Sequence, residues 1–484
     1  MLNWISFSSA DAAGRIALKV FSTILFARWL TPEMFGQASL TIVIVSVLAV
    51  LVSAPFEEAL TQRKVISGRH FSSSLSLVLL LAAVICLTTA VFDVSVSFVS
   101  DDASQILVLV GWFSLILFIQ GPISIYTAMA RRHRAFERIA WSNLGGEVLG
   151  TTVGLVLAVF GFGVWSLLAV RLVARSATLA GLMTGAPIWI RPGLSRAHVR
   201  DLSAFAGLFF AVRCVNTLSD AVFQGLVARY FGLAGAGYLN MALRIIEPVR
   251  GATGSMGHNL SMSIFMRVQD ASHRLRDSVE RAMEGTSLLL LPIFVGLAAI
   301  GPTAIEVIAG PGWATSGPLV TALALAAAIT SATNFQASAF AAKGRADLCL
   351  AAVSIEFVMM IVALVLLSGW GLVAVGLARV VSNLVEAAYV ARVSGRELGI
   401  GPLRTLRLAG PIATTACVMG LCVVAIGQLG WLQSSALLRL TAQIACGAVV
   451  YTLLAAVFHR RSLQSAYAKL RGRADPAGEV VDAS

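Results

Sequence analysis

Charge is what this sequence has least of: Asp, Glu, Lys and Arg make up 12% of 484 residues, while 58% are apolar and the mean hydropathy is +0.85. A soluble domain carries about twice that share of charge, so a soluble enzyme is excluded. The charges present are biased, 36 basic against 24 acidic for a net +12, but a nucleic-acid binder needs its bases on a solvated face. Almost no solvated stretch exists to carry one, and no nucleic-acid partner is expected. Cysteine is scarce too. Cys86, Cys214, Cys349, Cys417, Cys422 and Cys446 all lie in apolar segments with no CxxC pair and no neighbouring His cluster, which argues against a disulfide framework, a metal site or a resident cofactor. Of six His, only His258 falls in an apolar span. A Walker A motif is absent, which excludes a P-loop pump. No cleaved signal is expected, because Arg15 and Lys19 lie inside the first apolar stretch instead of before it.

What remains is apolar runs. A span needs about 20 apolar residues, and reading runs between charged clusters gives fourteen candidates. They lie near 10–30, 35–55, 72–92, 104–130, 141–160, 163–185, 203–226, 238–265, 286–309, 317–341, 348–368, 371–394, 408–428 and 435–458. Two long apolar blocks are divided at Gly161-Phe162-Gly163 and Gly369-Trp370-Gly371, where Gly-aromatic-Gly makes a tight reversal. Twelve or thirteen spans would follow if those reversals failed. Basic loop residues alternate with this count: with the N-terminus inside, 25 of the 36 bases fall in inner segments, and only Arg28 and Arg229 fall outside. The outer loops hold Glu33, Asp93, Asp101, Asp102 and Glu306 instead. The longest outer connection, near 93–103, is too short for the catalytic domain that a membrane polymerase or glycosyltransferase needs.

The two halves repeat. Ala27-Arg28-Trp29 with Gly36 recurs 201 residues later as Ala228-Arg229-Tyr230 with Gly237. Gly161-Phe162-Gly163 followed by Arg171 recurs at an offset of 208 as Gly369-Trp370-Gly371 followed by Arg379, and Arg134 corresponds to Arg345 at 211. Three matches in register imply two homologous six-helix bundles. The expected fold is therefore an all-α integral membrane protein, divided into an N-terminal bundle (1–190), an inner linker (191–202), a C-terminal bundle (203–394), two added helices (395–458) and a basic inner tail (459–484). Two equivalent bundles around a central cavity suit an alternating-access transporter. The bland alternative is that duplication simply gave a stable bundle or a channel.

Charges at membrane depth carry the functional signal, since each costs about 2.5–3.5 kcal/mol on insertion scales unless it faces a cavity or a partner. Nine bases lie within spans: Arg15, Lys19, Arg171, Arg175, Arg213, Arg244, Arg250, Arg379 and Arg439. Five acids lie there too: Glu147, Asp220, Glu247, Glu356 and Glu386. Arg15 and Lys19 share one helix face. Arg213, Asn216 and Asp220 form a stripe on the seventh helix. Arg244, Glu247 and Arg250 surround Pro248, whose ring should break the eighth helix and strip a donor from the Arg244 carbonyl. Some of these are structural pairs, with Arg244–Glu247, Arg213–Asp220 and Arg379–Glu386 the expected ones. Pairing cannot absorb a surplus of nine over five, and a cationic cavity calls for an anionic ligand that the guanidinium fork suits, phosphate above all. Asp220, Glu247 and Glu356 could bind Na+ or H+; salt bridging is the simpler role.

Several stretches together resemble a family: Phe26 through Gly36, the segment from Arg131 to Phe136, Gly161 through Trp165, Asp220 through Gly232 leading into Gly237 through Arg244, Gly310 through Trp313, and Lys343 through Arg345. In that order and spacing they resemble the bacterial oligosaccharide flippases of the polysaccharide transporter (Wzx-like) type, in the MOP superfamily with MATE exporters and lipid II flippases. The resemblance implies two six-helix bundles enclosing a V-shaped cleft. It implies that an undecaprenyl-diphosphate-linked glycan is carried to the outer leaflet of the bacterial inner membrane for capsule, exopolysaccharide or lipopolysaccharide O-antigen synthesis. It also implies basic residues on helices 1, 7 and 8 that hold the diphosphate, places where Arg15, Lys19, Arg213, Arg244 and Arg250 fall. Membrane lipid and a polysaccharide polymerase are the implied partners. Two alternatives stay open: a MATE-like exporter of cations, which would want an acidic cavity, and a membrane polymerase or ligase, which would want a large outer loop.

Overall fold

A computed structural model describes residues 18, 21–62, 67–97, 101–133, 135–186, 190–193, 195, 207–263, 265, 272–430 and 435–460. Nearly all of them are helical, and no strand occurs among them. A helix over 21–29, α1, precedes α2 (Pro32–Gln62), α3 (Gly68–Ser97), α4 (Asp101–Ser114), α5 (Leu117–Arg132), α6 (Phe136–Val159) and α7 (Val164–Thr184). The helical run Leu208–Ser263 follows, broken at Gly232 into α8 (208–231) and α9 (233–263). Then come α10 (Ser272–Ile308), α11 (Ser316–Ala342), α12 (Ala346–Leu367), α13 (Val373–Glu397), α14 (Pro402–Gly427) and α15 (Ala436–Phe458). Ten of these contain single segments long and apolar enough to cross a bilayer, and the bent pair α4–α5 makes an eleventh.

Both expected reversals are present. The α6–α7 turn uses positive φ at Gly161 (80°) and Gly163 (53°), and the α12–α13 turn uses Gly371 (69°), the position 208 residues beyond Gly163. These φ values belong to the left-handed region that glycine enters without a Cβ clash. Three expectations need correction. The 104–130 segment is not one straight helix but bends by 40° between α4 and α5. There the bonding tightens to i−3 acceptors (Leu115 N–H to Trp112 O, Ile116 N–H to Phe113 O) and Ser114 Oγ turns back onto the Gly111 carbonyl at 2.7 Å. The loop expected over 227–237 is helical apart from Gly232, whose φ of 72° and ψ of −179° make the break in one residue. Pro248 does not break its helix: α9 continues to Ser263 through it.

The chain forms two compact units. The first holds residues up to Pro248 with Ile308–Leu319 and Ala346–Ala378; the second holds Val249–Val307, Val320–Arg345 and Arg379 onward. In the first, Val52, Phe56 and Leu60 of α2 pack with Val78 of α3, Ile125 and Met129 of α5 and Leu182 of α7. In the second, α10 contains Pro292 and Pro302. A proline leaves the carbonyl four residues back without its helical donor, and in lipid that acceptor must be satisfied from elsewhere. Tyr451 OH of α15 donates to Leu288 O at 2.6 Å, and Thr321 Oγ1 of α11 donates to Ala298 O at 2.8 Å. The two prolines thus dictate where hydroxyls are needed on the neighbouring helices. The guanidinium of Arg439 on α15 reaches Glu306 of α10, which accounts for one of the intramembrane bases as a structural pair.

Candidate functional site

The site is built on the α6–α7 hairpin of the first unit. Gly146, Gly150 and Gly154 recur every fourth residue and so line one stripe of α6. A Cβ added to Gly146 would strike the Ala174 carbonyl and Thr178 Oγ1, one on Gly150 the Val170 carbonyl and Ala174, and one on Gly154 Val170 and the Ser166 carbonyl. Backbone therefore meets backbone along the whole hairpin, and its register is set. Glu147 follows Gly146 and Arg175 follows Ala174, each about 100° round its own helix from the seam. That register brings the Glu147 carboxylate into electrostatic range of Arg175, with Arg171, one turn away on the same face, also in range. Arg171 is exposed, Arg175 and Glu147 half-buried.

Arg244 approaches this group from α9. Its guanidinium lies within electrostatic range of Arg171. Its Nε donates to Asn240 Oδ1 at 3.1 Å, one turn back on α9, and its Cζ stands 4.9 Å from the centroid of the Phe35 ring on α2. Phe35 is wholly buried and meets the Trp313 ring edge-on, centroids 4.9 Å apart. Trp313 is in turn fixed by Nε1 donating to the Ala27 carbonyl at 3.2 Å and by an edge contact with Tyr238 at 6.0 Å. At about 1.5 Å per residue, Arg175 and Arg244 each lie roughly 16 Å along their helices, α7 and α9. Both depths are near the middle of a hydrocarbon core about 30 Å thick. Three arginines against one glutamate leave a net positive group at that depth, suited to an oxyanion.

The other expected residues are placed as follows. Arg15 and Lys19 lie outside the described residues. Arg213 and Asp220 are exposed on α8, and Glu247 is exposed on α9. Glu356 on α12 is buried and accepts a 3.4 Å hydrogen bond from Ser219 Oγ on α8. Arg250 is exposed and belongs to the second unit, as do Arg379, buried on α13, and Glu386, half-buried two turns further along that helix. Of the five bases expected to bind substrate, Arg244 is the one that the first unit holds in this cluster. Sequence reasoning did not assign Arg171, Arg175, Glu147, Phe35 or Asn240 to the site. The available signal was the i, i+4 spacing of Arg171 and Arg175, the same pattern as Arg15 and Lys19. No group of His, Cys, Asp and Glu suited to a metal ion occurs among the described residues.

Residues 25–318 match a family described as polysaccharide biosynthesis protein. Among curated relatives, the succinoglycan biosynthesis transport protein ExoT of Rhizobium meliloti (strain 1021) is 26% identical over 67% of this chain and 66% of its own length. The lipopolysaccharide biosynthesis protein WzxC of Escherichia coli (strain K12) is 22% identical over 69% of this chain and 68% of its own length. The chain therefore spans just under two thirds of the Rhizobium protein. Among solved structures, the lipid II flippase MurJ in an inward closed conformation superposes with a TM-score of 0.76 at 14% identity, covering 95% of this chain and 100% of that one. An inward-facing multidrug resistance MATE transporter of the MOP superfamily gives a TM-score of 0.61 at 15% identity, over 82% of this chain and 96% of that one. Those likenesses establish the fold.

Proposed function

Because the chain belongs to the polysaccharide biosynthesis protein family, we propose that it is a transporter that flips a lipid-linked oligosaccharide across the membrane by alternating access. The substrate class is an undecaprenyl-diphosphate-linked glycan, taken from the inner leaflet and delivered to the outer one. The observation that carries this reading is Arg244 at mid-depth, its guanidinium face on Phe35 and its Nε on Asn240, with Arg171 within electrostatic range, a basic site suited to a diphosphate. Arg15, Lys19, Arg213 and Arg250 are assigned to the same anionic substrate as further bases, and the domain boundaries are those given by the repeat. The bacterial inner membrane is the location, with both termini in the cytoplasm, because the bases concentrate in alternate loops.

The glycan and diphosphate enter the polar interior while the prenyl tail stays in lipid. An inside-negative potential favours outward movement of about two negative charges by roughly 2.3 kcal/mol per charge per 100 mV. A coupling ion is not required energetically; Na+ or H+ at Asp220, Glu247 or Glu356 would add to that drive. A MATE-like cation exporter is disfavoured by the sign of the cluster, and a polymerase or ligase by the short outer connections. A polysaccharide polymerase is the natural consumer of the flipped product. Deletion of the gene, followed by chemical identification of the lipid-linked intermediate and its leaflet, tests the reading. Accumulation on the inner leaflet, relieved by the wild-type gene, supports a flippase. An unpolymerised intermediate exposed on the outer leaflet supports a polymerase instead.

A further inference from the structure

Where α14 begins, in the second unit, one carboxylate is shared by two guanidiniums. Glu280 of α10 accepts from Arg276 Nε at 3.1 Å, and from Nε and Nη2 of Arg404 on α14 at 2.5 and 2.7 Å. The two helices then run side by side in parallel, since about four turns further on a Cβ added to Gly420 of α14 would meet the Val295 side chain of α10. Arg407, one turn beyond Arg404, is exposed and makes no ion pair among the described residues. Asp277, one turn before Glu280, is bonded to His273 at 3.0 Å. The start of α14 and the facing turn of α10 thus carry three guanidiniums against the one carboxylate not taken by a histidine. Bases near an inner helix end are ordinary, but Arg404 and Arg407 stand in the first two turns of α14, where the helix dipole opposes them. No acid occupies that first turn, and Gly401 at the N-cap has no side chain to offer its N–H groups. A positive helix end with two arginines and no cap calls for an anion. The surroundings say what kind. Leu403 (75% exposed), Leu406 (66%) and Leu421 (71%) line one exposed face of α14 with Val418, and the 100° step puts Arg407 on that same face. Helical side chains lean toward the N-terminus, so both arginines reach toward the membrane boundary, where the span Pro402–Gly427 starts.

We propose that the start of α14 beside α10 is a binding site for the phosphodiester of an anionic membrane phospholipid, with Arg404 and Arg407 on the phosphate and the acyl chains along the leucine face of α14. The bonds from Arg404 to Glu280 use Nε and Nη2 and leave Nη1, so the carboxylate holds the guanidinium in place without filling its donors. A soluble phosphate gains nothing from the leucine face, and the diphosphate of the cargo is assigned to Arg244 in the first unit. On the orientation proposed above, the phospholipid comes from the inner leaflet; binding itself does not depend on that orientation. A lipid that binds the folded chain stabilises it by mass action, which couples the second unit to the anionic lipid content of its membrane.

The test uses the full-length protein in detergent, with dioleoylphosphatidylglycerol, dioleoylphosphatidylcholine, glycerol 3-phosphate and farnesyl diphosphate as probes. Native mass spectrometry counts the lipids bound and gives the affinity of the first. Wild-type protein should bind phosphatidylglycerol roughly tenfold or more tightly than phosphatidylcholine. Arg407→Gln and Arg404→Gln should each weaken phosphatidylglycerol about fivefold, the effect of one base at an anionic headgroup, and leave phosphatidylcholine unchanged. Arg191→Gln, which removes an exposed base of the first unit, is the control and should alter neither. Added phosphatidylglycerol should raise the thermal midpoint of wild-type protein more than that of Arg407→Gln protein. Equal affinity of wild-type protein for the two lipids overturns the proposal, as does Arg407→Gln protein at wild-type affinity. Displacement of phosphatidylglycerol by equimolar glycerol 3-phosphate would make this a site for soluble phosphate. Displacement by equimolar farnesyl diphosphate, lost in Arg407→Gln, would make it part of the cargo path; either result overturns the phospholipid assignment. If Arg404→Gln fails to fold, Arg407→Gln decides alone, because it breaks no ion pair among the described residues.

Discussion

Tyr451 on α15 donates its hydroxyl to the Leu288 carbonyl on α10 at 2.6 Å, satisfying the acceptor that Pro292 leaves without a helical donor. Thr321 does the same for Ala298 beside Pro302, at 2.8 Å. Tyr451→Phe and Thr321→Val should each lower stability by about 1 kcal/mol through an unsatisfied buried carbonyl. The two losses should add, because the bonds share no residue. Thermal unfolding of the purified protein measures both, and an unchanged midpoint in either variant contradicts the assignment.

Arg439 and Glu306 join α15 to α10. Removing the acid alone leaves a mostly buried guanidinium at the end of the span without its carboxylate. Glu306→Gln should therefore destabilise by up to about 1 kcal/mol, and Glu306→Gln with Arg439→Gln should recover part of the loss. A double variant that unfolds no later than the single one would show that the pair is not coupled.

Glu147 offsets the positive charge of the α7 arginines. Glu147→Gln should tighten pyrophosphate binding, and Arg175→Gln should loosen it, each roughly two- to tenfold for charges interacting through a partly polar interior. The opposite sign in calorimetry would place the anion elsewhere.

Arg244→Lys keeps the charge but loses the planar fork that stacks on Phe35 and bonds Asn240. Affinity for farnesyl diphosphate should fall about tenfold, and Arg244→Gln should lose more. Equal binding by the lysine variant and wild type would mean that the site reads charge only.

Most of the fold was legible because lipid makes strong demands on sequence. Apolar run length located the helices, and the Gly-aromatic-Gly reversals appeared where positive φ is needed, at Gly163 and Gly371. A break between 226 and 238 was legible, but not that helix continues to within one residue of Gly232 on both sides, and Pro248 misled because a proline can be accommodated by local adjustment. Of the proposed site, Arg244 stood out in the sequence by its cost at depth. Arg171 and Arg175 were visible as membrane charges, but their nearness to Arg244 depends on how the α6 glycines seat α7, a tertiary fact. The Phe35 contact is of the same kind: an apolar residue beside a glycine carries no local sign that a guanidinium from 209 positions later will rest on it.

A chain that moves a lipid-linked oligosaccharide between leaflets should do so in a bilayer that holds no other protein. The most direct measurement isolates that intermediate from the deletion strain, incorporates it in liposomes with the purified protein, and follows its exposure to a periodate or lectin probe confined to one side. Wild-type protein should equilibrate the intermediate across the bilayer, Arg244→Gln protein should do so at a small fraction of that rate, and empty liposomes should not. Exposure that is no faster with wild-type protein than in empty liposomes, across imposed membrane potentials of either sign and in Na+ and H+ gradients, would show that the chain does not flip this intermediate.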